Sequence, residues 1–236
     1  TLTGGARLDR WRIFDGFLDE RVIASGATLN DIAFPDRSGW EPTARAGIAW
    51  RPAGALALRA AGYLGWRLPT LNELYRPFRV GPDATAANAG LAPERLQGIE
   101  AGISGAITSR WTALAAYAFM DSSIAESENA SEEGMNLTLT PENTFSVWTT
   151  FELPRNVTVG GGAQYMDAVF RNTTNTTRVP GYWLAQALVS YRVNDLLTLR
   201  VNALNLADTL YVDRVGGGHY IPGPRRQVLL NAGFGF

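Results

Sequence analysis

The dominant pattern along the chain is an alternation of apolar and polar residues with a period of two. Ten segments show it, at about residues 2–14, 42–51, 56–67, 95–106, 111–121, 144–153, 157–165, 182–193, 197–203 and 227–236. Alternation over this length predicts β-strands that each have one apolar face and one polar face. The fifth segment is apolar on both faces, so the pattern does not assign which of them belongs to the apolar side of a sheet.

The connections between these segments alternate between long and short. Long connections cover about residues 15–41, 68–94, 122–143, 170–181 and 206–225, and short turns lie at 52–55, 107–110, 154–156 and 194–195. An even strand number with alternating connection lengths is typical of outer-membrane β-barrels, whose long loops face outside and whose short turns face the periplasm. The sequence therefore predicts an all-β, antiparallel transmembrane β-barrel of about ten strands, with both termini on the periplasmic side.

A soluble β-sandwich is the alternative, because it also produces alternating segments and frequent turns. The segments are, however, longer than the ~5–6 residues of an ordinary strand. The predicted inner faces carry charges that a dry core would not tolerate, at Arg45, Arg51, Arg59, Glu100, Glu152 and Arg200. Aromatic residues also lie near segment ends, where a membrane barrel has its interfacial girdles: Trp11, Trp50, Trp66, Trp111, Tyr165, Tyr191 and Phe236.

Composition removes several other classes of protein. Apolar residues make up 46% of the chain, but no run is long enough to suggest a transmembrane helix. The formal net charge of −1 gives no electrostatic reason to expect nucleic acid as a partner. The absence of cysteine excludes a disulfide framework and a thiolate metal site. No signal peptide is recognisable after Thr1, which we expect of a mature chain or a fragment.

Several short motifs resemble those of TonB-dependent outer-membrane receptors, in the same order and at the same spacings. Residues 65–75 read GWRLPTLNELY, and residues 89–95 and 98–102 read AGLAPER and GIEAG. Residues 201–211 read VNALNLADTLY, and residues 222–226 read PGPRR at the entry to the last segment. The preceding stretch VGGGHYIP resembles the final loop of the catecholate-siderophore receptors in this family.

The resemblance covers nearly the whole chain but only the C-terminal barrel portion of the family architecture. Receptors of this family have ~22 strands around a plugged lumen, and neither the plug domain nor its TonB-binding segment is in this sequence. We therefore expect residues 1–236 to form one partial barrel domain without a plug. In the family, another hairpin usually follows the strand that matches residues 95–106, so the chain resembles a receptor from which two strands are missing.

The resemblance implies a function in ferric siderophore uptake across the Gram-negative bacterial outer membrane. It implies no enzymatic activity and no cofactor, with iron present only inside the siderophore ligand. The partners that it implies are the ferric siderophore, outer-membrane lipid, and the barrel-assembly machinery that reads the C-terminal Phe236. TonB would act only through the absent plug domain, so we do not expect energised transport by this chain alone.

Ferric catecholates are anionic and aromatic, so Arg and Tyr side chains in the outer loops suit them through charge pairing and stacking. The candidate ligand-binding residues are Tyr75, Arg76, Arg79, Arg171, Tyr211, Arg214, His219 and Tyr220. The alternative for this set is that outer loops are simply rich in polar and aromatic residues.

Three other functions stay open at this point. A small closed barrel with charged residues inside could be a passive pore, and a structural barrel could bind a partner through its loops. A hydrolase with its site at the outer rim is the third, and only the lone His219 favours it. No catalytic residues are predicted, because nothing in the sequence marks a nucleophile, a base and an orienting group.

Overall fold

The computed structural model describes residues 1–53, 55–76, 78–80, 83–85, 87–124, 130–216 and 219–235. Almost all of the regular structure is β-strand, as the period-two pattern predicts. No helix in this described part of the chain is long and apolar enough to cross a bilayer.

Ten long strands form one antiparallel sheet, and each pairs with its neighbour along the chain among these ten. They are β1 (Leu2–Ile13), β4 (Arg37–Ala53), β5 (Leu56–Arg67), β8 (Glu94–Ala106), β9 (Trp111–Ser122), β10 (Asn143–Leu153), β11 (Val157–Met166), β14 (Tyr182–Arg192), β15 (Leu197–Leu204) and β18 (Gln227–Phe234). The prediction of about ten antiparallel strands is therefore confirmed. The second strand begins at Arg37, five residues earlier than its alternation suggests.

The other elements lie in the long connections. Two-stranded sheets pair β2 (Phe17–Arg21) with β3 (Thr28–Ala33), β6 (Phe78–Val80) with β7 (Asp83–Thr85), β12 (Val169–Phe170) with β13 (Arg178–Val179), and β16 (Val212–Gly216) with β17 (His219–Pro222). Helix α1 (Leu71–Tyr75) lies between β5 and β6. All five long connections leave from one edge of the ten-stranded sheet and all four short turns from the other, so we call these the long-loop edge and the short-turn edge.

The register divides the sheet into an apolar face and a polar face. Directly paired residues of antiparallel strands share a face, so Leu2, Ile48, Ala60, Ala101 and Tyr117 form one row across β1, β4, β5, β8 and β9. The adjacent row on the other face is Thr3, Gly47, Ala61, Glu100 and Ala118. The register thus assigns β9, which the sequence left open, by placing Tyr117 on the apolar face.

The apolar face is exposed rather than packed into a core. Among the described residues, the buried apolar side chains are Leu74, Val179 and Leu184. The following residues of the apolar face are all at least half exposed: Leu2, Leu8, Trp40, Ile48, Trp50, Ile99, Trp183, Val228, Leu230 and Phe234. A soluble sandwich would bury one such face against a second sheet, so the sandwich alternative is not supported.

On the polar face, large rings lie flat on glycines of the neighbouring strand. A Cβ atom on Gly98 would come within 2.6 Å of the Tyr63 Oη, and one on Gly162 within 2.6 Å of the Trp148 ring. Trp11 covers Gly39 in the same way, because the alternation of β1 puts Trp11 on the polar face. The prediction that Trp11 belongs to an aromatic girdle is therefore wrong.

The ten strands form an open sheet. Within the described residues, β1 and β18 stand at the two ends of the strand order and each pairs with a single neighbour in that sheet. The expected closure into a barrel of ten strands is not observed, and a passive pore would need such a closed wall.

Candidate functional site

The last long connection begins with a turn that the Asn205 side chain organises. Asn205 is buried and has a positive φ of 49°, a conformation that asparagine tolerates better than most residues. Its Nδ2 donates to the carbonyl oxygens of Thr209 at 2.9 Å and Pro224 at 3.1 Å, and its Oδ1 accepts from the Thr209 N–H at 2.8 Å. One side chain thus joins the start of this connection to its end.

Asp208 makes a second tie between the same two segments. The Arg225 guanidinium donates to both of its carboxylate oxygens, at 3.0 and 2.6 Å, and the Arg226 N–H donates to one of them at 2.9 Å. Arg225, helped by the Arg226 N–H, holds the pKa of Asp208 at about 2. The motifs at 201–211 and 222–226 are therefore parts of one structural anchor at the long-loop edge.

This anchor positions Tyr211 in an aromatic pocket. The Tyr211 ring lies on Gly223, where a Cβ atom would overlap the ring, and its centroid is 4.5 Å from that of Tyr182. Burial raises the pKa of the Tyr211 phenol, and the nearby Asp213 adds to that effect, so the hydroxyl stays protonated at neutral pH. A cavity of about 350 Å³ is lined by Pro180, Gly181, Tyr182, Leu210, Tyr211, Val212, Tyr220 and Pro222.

Arg171 joins this pocket from the connection between β11 and β14. Its guanidinium carbon lies 5.3 Å from the centroid of the Tyr220 ring, within the range of a cation–π contact. Arg214 and His219 belong to the β16–β17 hairpin and are exposed. Both are paired through their backbones within that hairpin, and neither side chain makes a hydrogen bond or an ion pair within the described part of the chain.

The polar face encloses a larger cavity of about 650 Å³, so this side of the sheet is concave. Its lining residues come from the large-sheet strands β1, β4, β5, β8, β9, β10, β11 and β14 and include Arg45, Arg59, Glu100 and Tyr182. Tyr182 also lines the aromatic pocket. The pocket at the long-loop edge therefore adjoins the concave face at Tyr182.

The motif at 65–75 forms a separate cluster around α1. Thr70 and Glu73 form a capping box, in which the Thr70 Oγ1 accepts from the Glu73 N–H and Glu73 accepts from the Thr70 N–H. Arg67 donates to Glu73 and also to Glu94 of the second motif. The hydrogen bond from Arg67 to Glu73 is the main cause of the lowered pKa of Glu73. Arg67 thus joins the first two motifs.

Tyr75, at the end of α1, packs against the connection between β1 and β4. Its ring centroid lies 5.1 Å from that of Phe34, and a Cβ atom on Gly16 would meet its hydroxyl oxygen at 2.7 Å. The contact fixes α1 against the first long connection. Arg76 follows the helix and is exposed.

Two further long connections are docked on each other. Asn136 donates its N–H to the Asn175 Oδ1 at 2.7 Å, and the Asn175 Nδ2 donates to the Asn136 carbonyl at 3.0 Å. The Leu139 N–H donates to the Phe170 carbonyl at 2.8 Å. These contacts hold together the segments 130–142 and 167–181, and the second of them carries Arg171.

The structure brings together three of the eight candidate residues, Arg171, Tyr211 and Tyr220. Arg214 and His219 lie on the neighbouring hairpin, whereas Tyr75 and Arg76 belong to the α1 cluster. The side chain of Arg79 and the C-terminal Phe236 lie outside what the structure describes. Sequence reasoning missed Tyr182, because it stands at the start of a strand and no motif marks it. In the described ranges, no three carboxylate or imidazole groups are placed to hold a metal ion.

Comparison with known proteins assigns this arrangement to a family. A family model described as TonB dependent receptor-like, beta-barrel matches residues 1–104 and 85–206. The chain therefore belongs to the TonB-dependent receptor family and represents part of its β-barrel. The expectation drawn from the motifs is confirmed.

Individual relatives agree with this assignment. The chain is 32% identical over 178 residues to the probable TonB-dependent receptor BfrD of Bordetella pertussis, and this alignment covers 70% of the chain and 24% of BfrD. It is 32% identical over 150 residues to the catecholate siderophore receptor Fiu of Escherichia coli K12, over 61% of this chain and 20% of Fiu. The chain thus spans about a quarter or less of these relatives.

The fold agrees with a solved receptor structure. The siderophore receptor PiuA from Acinetobacter baumannii superimposes with a TM-score of 0.62 at 21% identity, over 99% of this chain and 40% of PiuA. The ten-stranded sheet therefore has the shape of an arc of a larger receptor barrel.

Proposed function

We propose that this chain forms the wall and outer loops of an outer-membrane receptor for ferric siderophores. The observation that carries the proposal is the aromatic pocket of Tyr182, Tyr211 and Tyr220, with Arg171 beside it. It lies at the long-loop edge and adjoins the concave polar face at Tyr182. A ligand held there is already at the mouth of the lumen.

The exposed apolar face supports a position in the membrane. A face with Leu8, Ile48, Trp50 and Leu230 at least half exposed costs free energy in water and is stable against lipid chains. In the Gram-negative outer membrane, the long-loop edge would face outside and the short-turn edge the periplasm.

The pocket has the chemistry that a ferric catecholate needs. Stacking on tyrosine rings suits its catechol rings, and a guanidinium such as Arg171 balances its negative charge. Iron would arrive inside the siderophore, so the chain itself needs no metal ligands and no cofactor. The names of Fiu and PiuA support a siderophore as the substrate.

Residues 1–236 would act as one partial barrel domain in this function. Energised uptake would need a plug domain and its contact with TonB, and insertion would use the barrel-assembly machinery through Phe236. Neither nucleic acid nor an enzymatic substrate has a place in this proposal. TonB-dependent uptake in cells that carry only this chain would contradict it.

The binding step can be tested directly on the chain refolded in detergent. The probe is the iron(III) complex of 2,3-dihydroxybenzoate, and tryptophan fluorescence quenching reports its binding. Arg171→Gln should weaken binding about tenfold, which corresponds to ~1.4 kcal/mol. Arg51→Gln, an exposed arginine on the polar face near the short-turn edge, is the matched control and should bind like the wild type. Equal affinities for both variants would remove Arg171 and its pocket from the site.

A further inference from the structure

The apolar face carries aromatic residues at two levels. Trp40 and Trp50 both point to this face from β4, and both are more than half exposed. Ten residues of strand at ~3.4 Å each, tilted by ~40°, separate the two indoles by roughly 26 Å along the membrane normal. That matches the ~25 Å apolar band between the two aromatic girdles of a membrane barrel. Trp40 therefore marks the outer boundary of the band and Trp50 the inner boundary.

Two arginines of β1 stand at and above the outer boundary. Arg10 is paired directly with Trp40 in the register, and its guanidinium carbon lies 5.8 Å from the indole centroid. Arg12 is the next residue of β1 on the same face, and its guanidinium carbon lies 5.1 Å from the Phe14 ring centroid. We call Arg10, Arg12, Phe14 and Trp40 the rim patch.

The two arginines differ in their ion pairs. Arg12 donates to Asp36 at 2.8 Å. Arg10 makes no ion pair with any residue that the structure describes. Arg10 is thus an exposed cation on the apolar face, which is the face that would contact lipid. The Trp40 ring orients its guanidinium but does not neutralise its charge.

A charge in this position is tolerated only near the membrane surface. The cost of arginine on a lipid-facing wall is large at the midplane and small at the interface. At the level of Trp40 the guanidinium meets lipid headgroups, and its planar fork fits phosphate oxygens in a bidentate way. A phosphomonoester carries a charge between −1 and −2 near neutral pH. This charge complements Arg10, whose guanidinium has no ion pair within the described residues, and the neighbouring Arg12, which is paired with Asp36.

We propose that the rim patch is a binding site for the phosphomonoester headgroup of an outer-leaflet lipid. The inference rests on the proposed function, because it needs the apolar face to be embedded in a membrane. It goes beyond that function by giving the outer wall of the receptor a specific lipid partner, which would fix the height and tilt of β1 in the bilayer.

The test uses native mass spectrometry of the chain refolded in detergent, with phosphatidic acid and phosphatidylcholine as probes. The wild type should retain phosphatidic acid at least fivefold more strongly than phosphatidylcholine. Arg10→Gln should reduce this preference to less than twofold, and Arg12→Gln should reduce it in part. Arg59→Gln is the control, since Arg59 is exposed on the polar face, and it should keep the full preference. An equal loss in Arg59→Gln would mean general charge attraction and would overturn the site.

Two further results separate the possible failures. Inorganic phosphate in tenfold excess should not displace phosphatidic acid, and displacement would overturn a lipid as the source of the phosphate. Vesicle insertion is measured in parallel by protease protection. A chain that inserts but shows no preference overturns the lipid site alone, whereas a chain that does not insert overturns the lipid site and the membrane function together.

Discussion

Replacing Asn205 with alanine tests whether the motif at 201–211 acts as a structural anchor. The change removes three hydrogen bonds, each with a net value of about 1 kcal/mol. It also leaves alanine at a φ of 49°, which costs about 1–2 kcal/mol. The sum is an upper limit of about 4–5 kcal/mol, and water reaching the freed carbonyl groups reduces it to about 3 kcal/mol.

Because the anchor lies at the sheet edge, the loss should open the connection locally and leave the strands folded. Hydrogen exchange measured by mass spectrometry should show residues 206–226 exchanging roughly 100-fold faster, since about 1.4 kcal/mol corresponds to a factor of ten. Asn205→Gly separates the two contributions, because glycine restores the backbone freedom but not the hydrogen bonds. It should give an intermediate rate.

Asn202→Ala is the matched control, since Asn202 lies three residues earlier on the polar face of β15, the strand that leads into this connection. It should leave the exchange of the connection unchanged. If Asn205→Ala exchanges no faster than Asn202→Ala, the side chain does not hold the connection and the anchor interpretation is wrong.

Three further predictions concern stability. Gly98→Ala should destabilise the chain by about 1–3 kcal/mol in urea unfolding through overpacking against Tyr63, whereas Gly5→Ala, which meets nothing within 4 Å, should be close to neutral; equal effects would contradict the ring contact. Because the pKa of Asp208 is lowered in the folded chain, its carboxylate stabilises the last connection fully above about pH 4, and this stabilisation is lost as the pH falls toward 2. Cleavage of that connection by pepsin should therefore increase from about pH 4 to about pH 2 in the wild type but not in Asp208→Asn. Arg67→Gln removes the ion pairs of Arg67 with Glu73 and Glu94, so trypsin should cleave the connection between β5 and β8 faster. An unchanged rate would show that these ion pairs do not restrain the connection.

Much of the strand layout could be predicted because each strand of the large sheet has one apolar face and one polar face, and this difference produces the period of two in the sequence. The third segment, Leu56–Arg67, coincides with β5 to the residue. The alternation did not assign β9, because alanine at positions such as Ala113 and Ala116 makes both of its faces apolar. Only the neighbouring strands, through the pairs of Tyr117 with Ala101 and Phe145, decide that face.

The elements inside the long connections were not predicted, because most contain too few residues for a period to be read. One of them left a signal nevertheless. Thr70 and Glu73 have the spacing of a capping box, and the structure shows that box at the start of α1. The same residues were interpreted only as part of a family motif.

Only part of the candidate site could be predicted, because the sequence shows the chemistry of single residues but not the contacts between distant connections. Chemistry marked Arg171, Tyr211 and Tyr220 as suitable residues, but nothing in the sequence shows that two connections meet. The contact between Arg171 and Tyr220 depends on the docking of separate loops, and the role of Tyr182 depends on its register with Met166 of β11. Tertiary contacts of this kind leave no periodic pattern.

The two matches to the family model overlap at residues 85–104, which include most of β8. The same strand therefore fits two positions of the family pattern. Omission of a whole hairpin would produce such an overlap, because removing two strands preserves both the antiparallel direction and the apolar side of every strand that remains. β8 indeed pairs along its length with β5 on one side and β9 on the other. Such an omission would make the connections that follow β5 and β9 neighbours, so the loop surface would differ from that of a receptor with the extra hairpin.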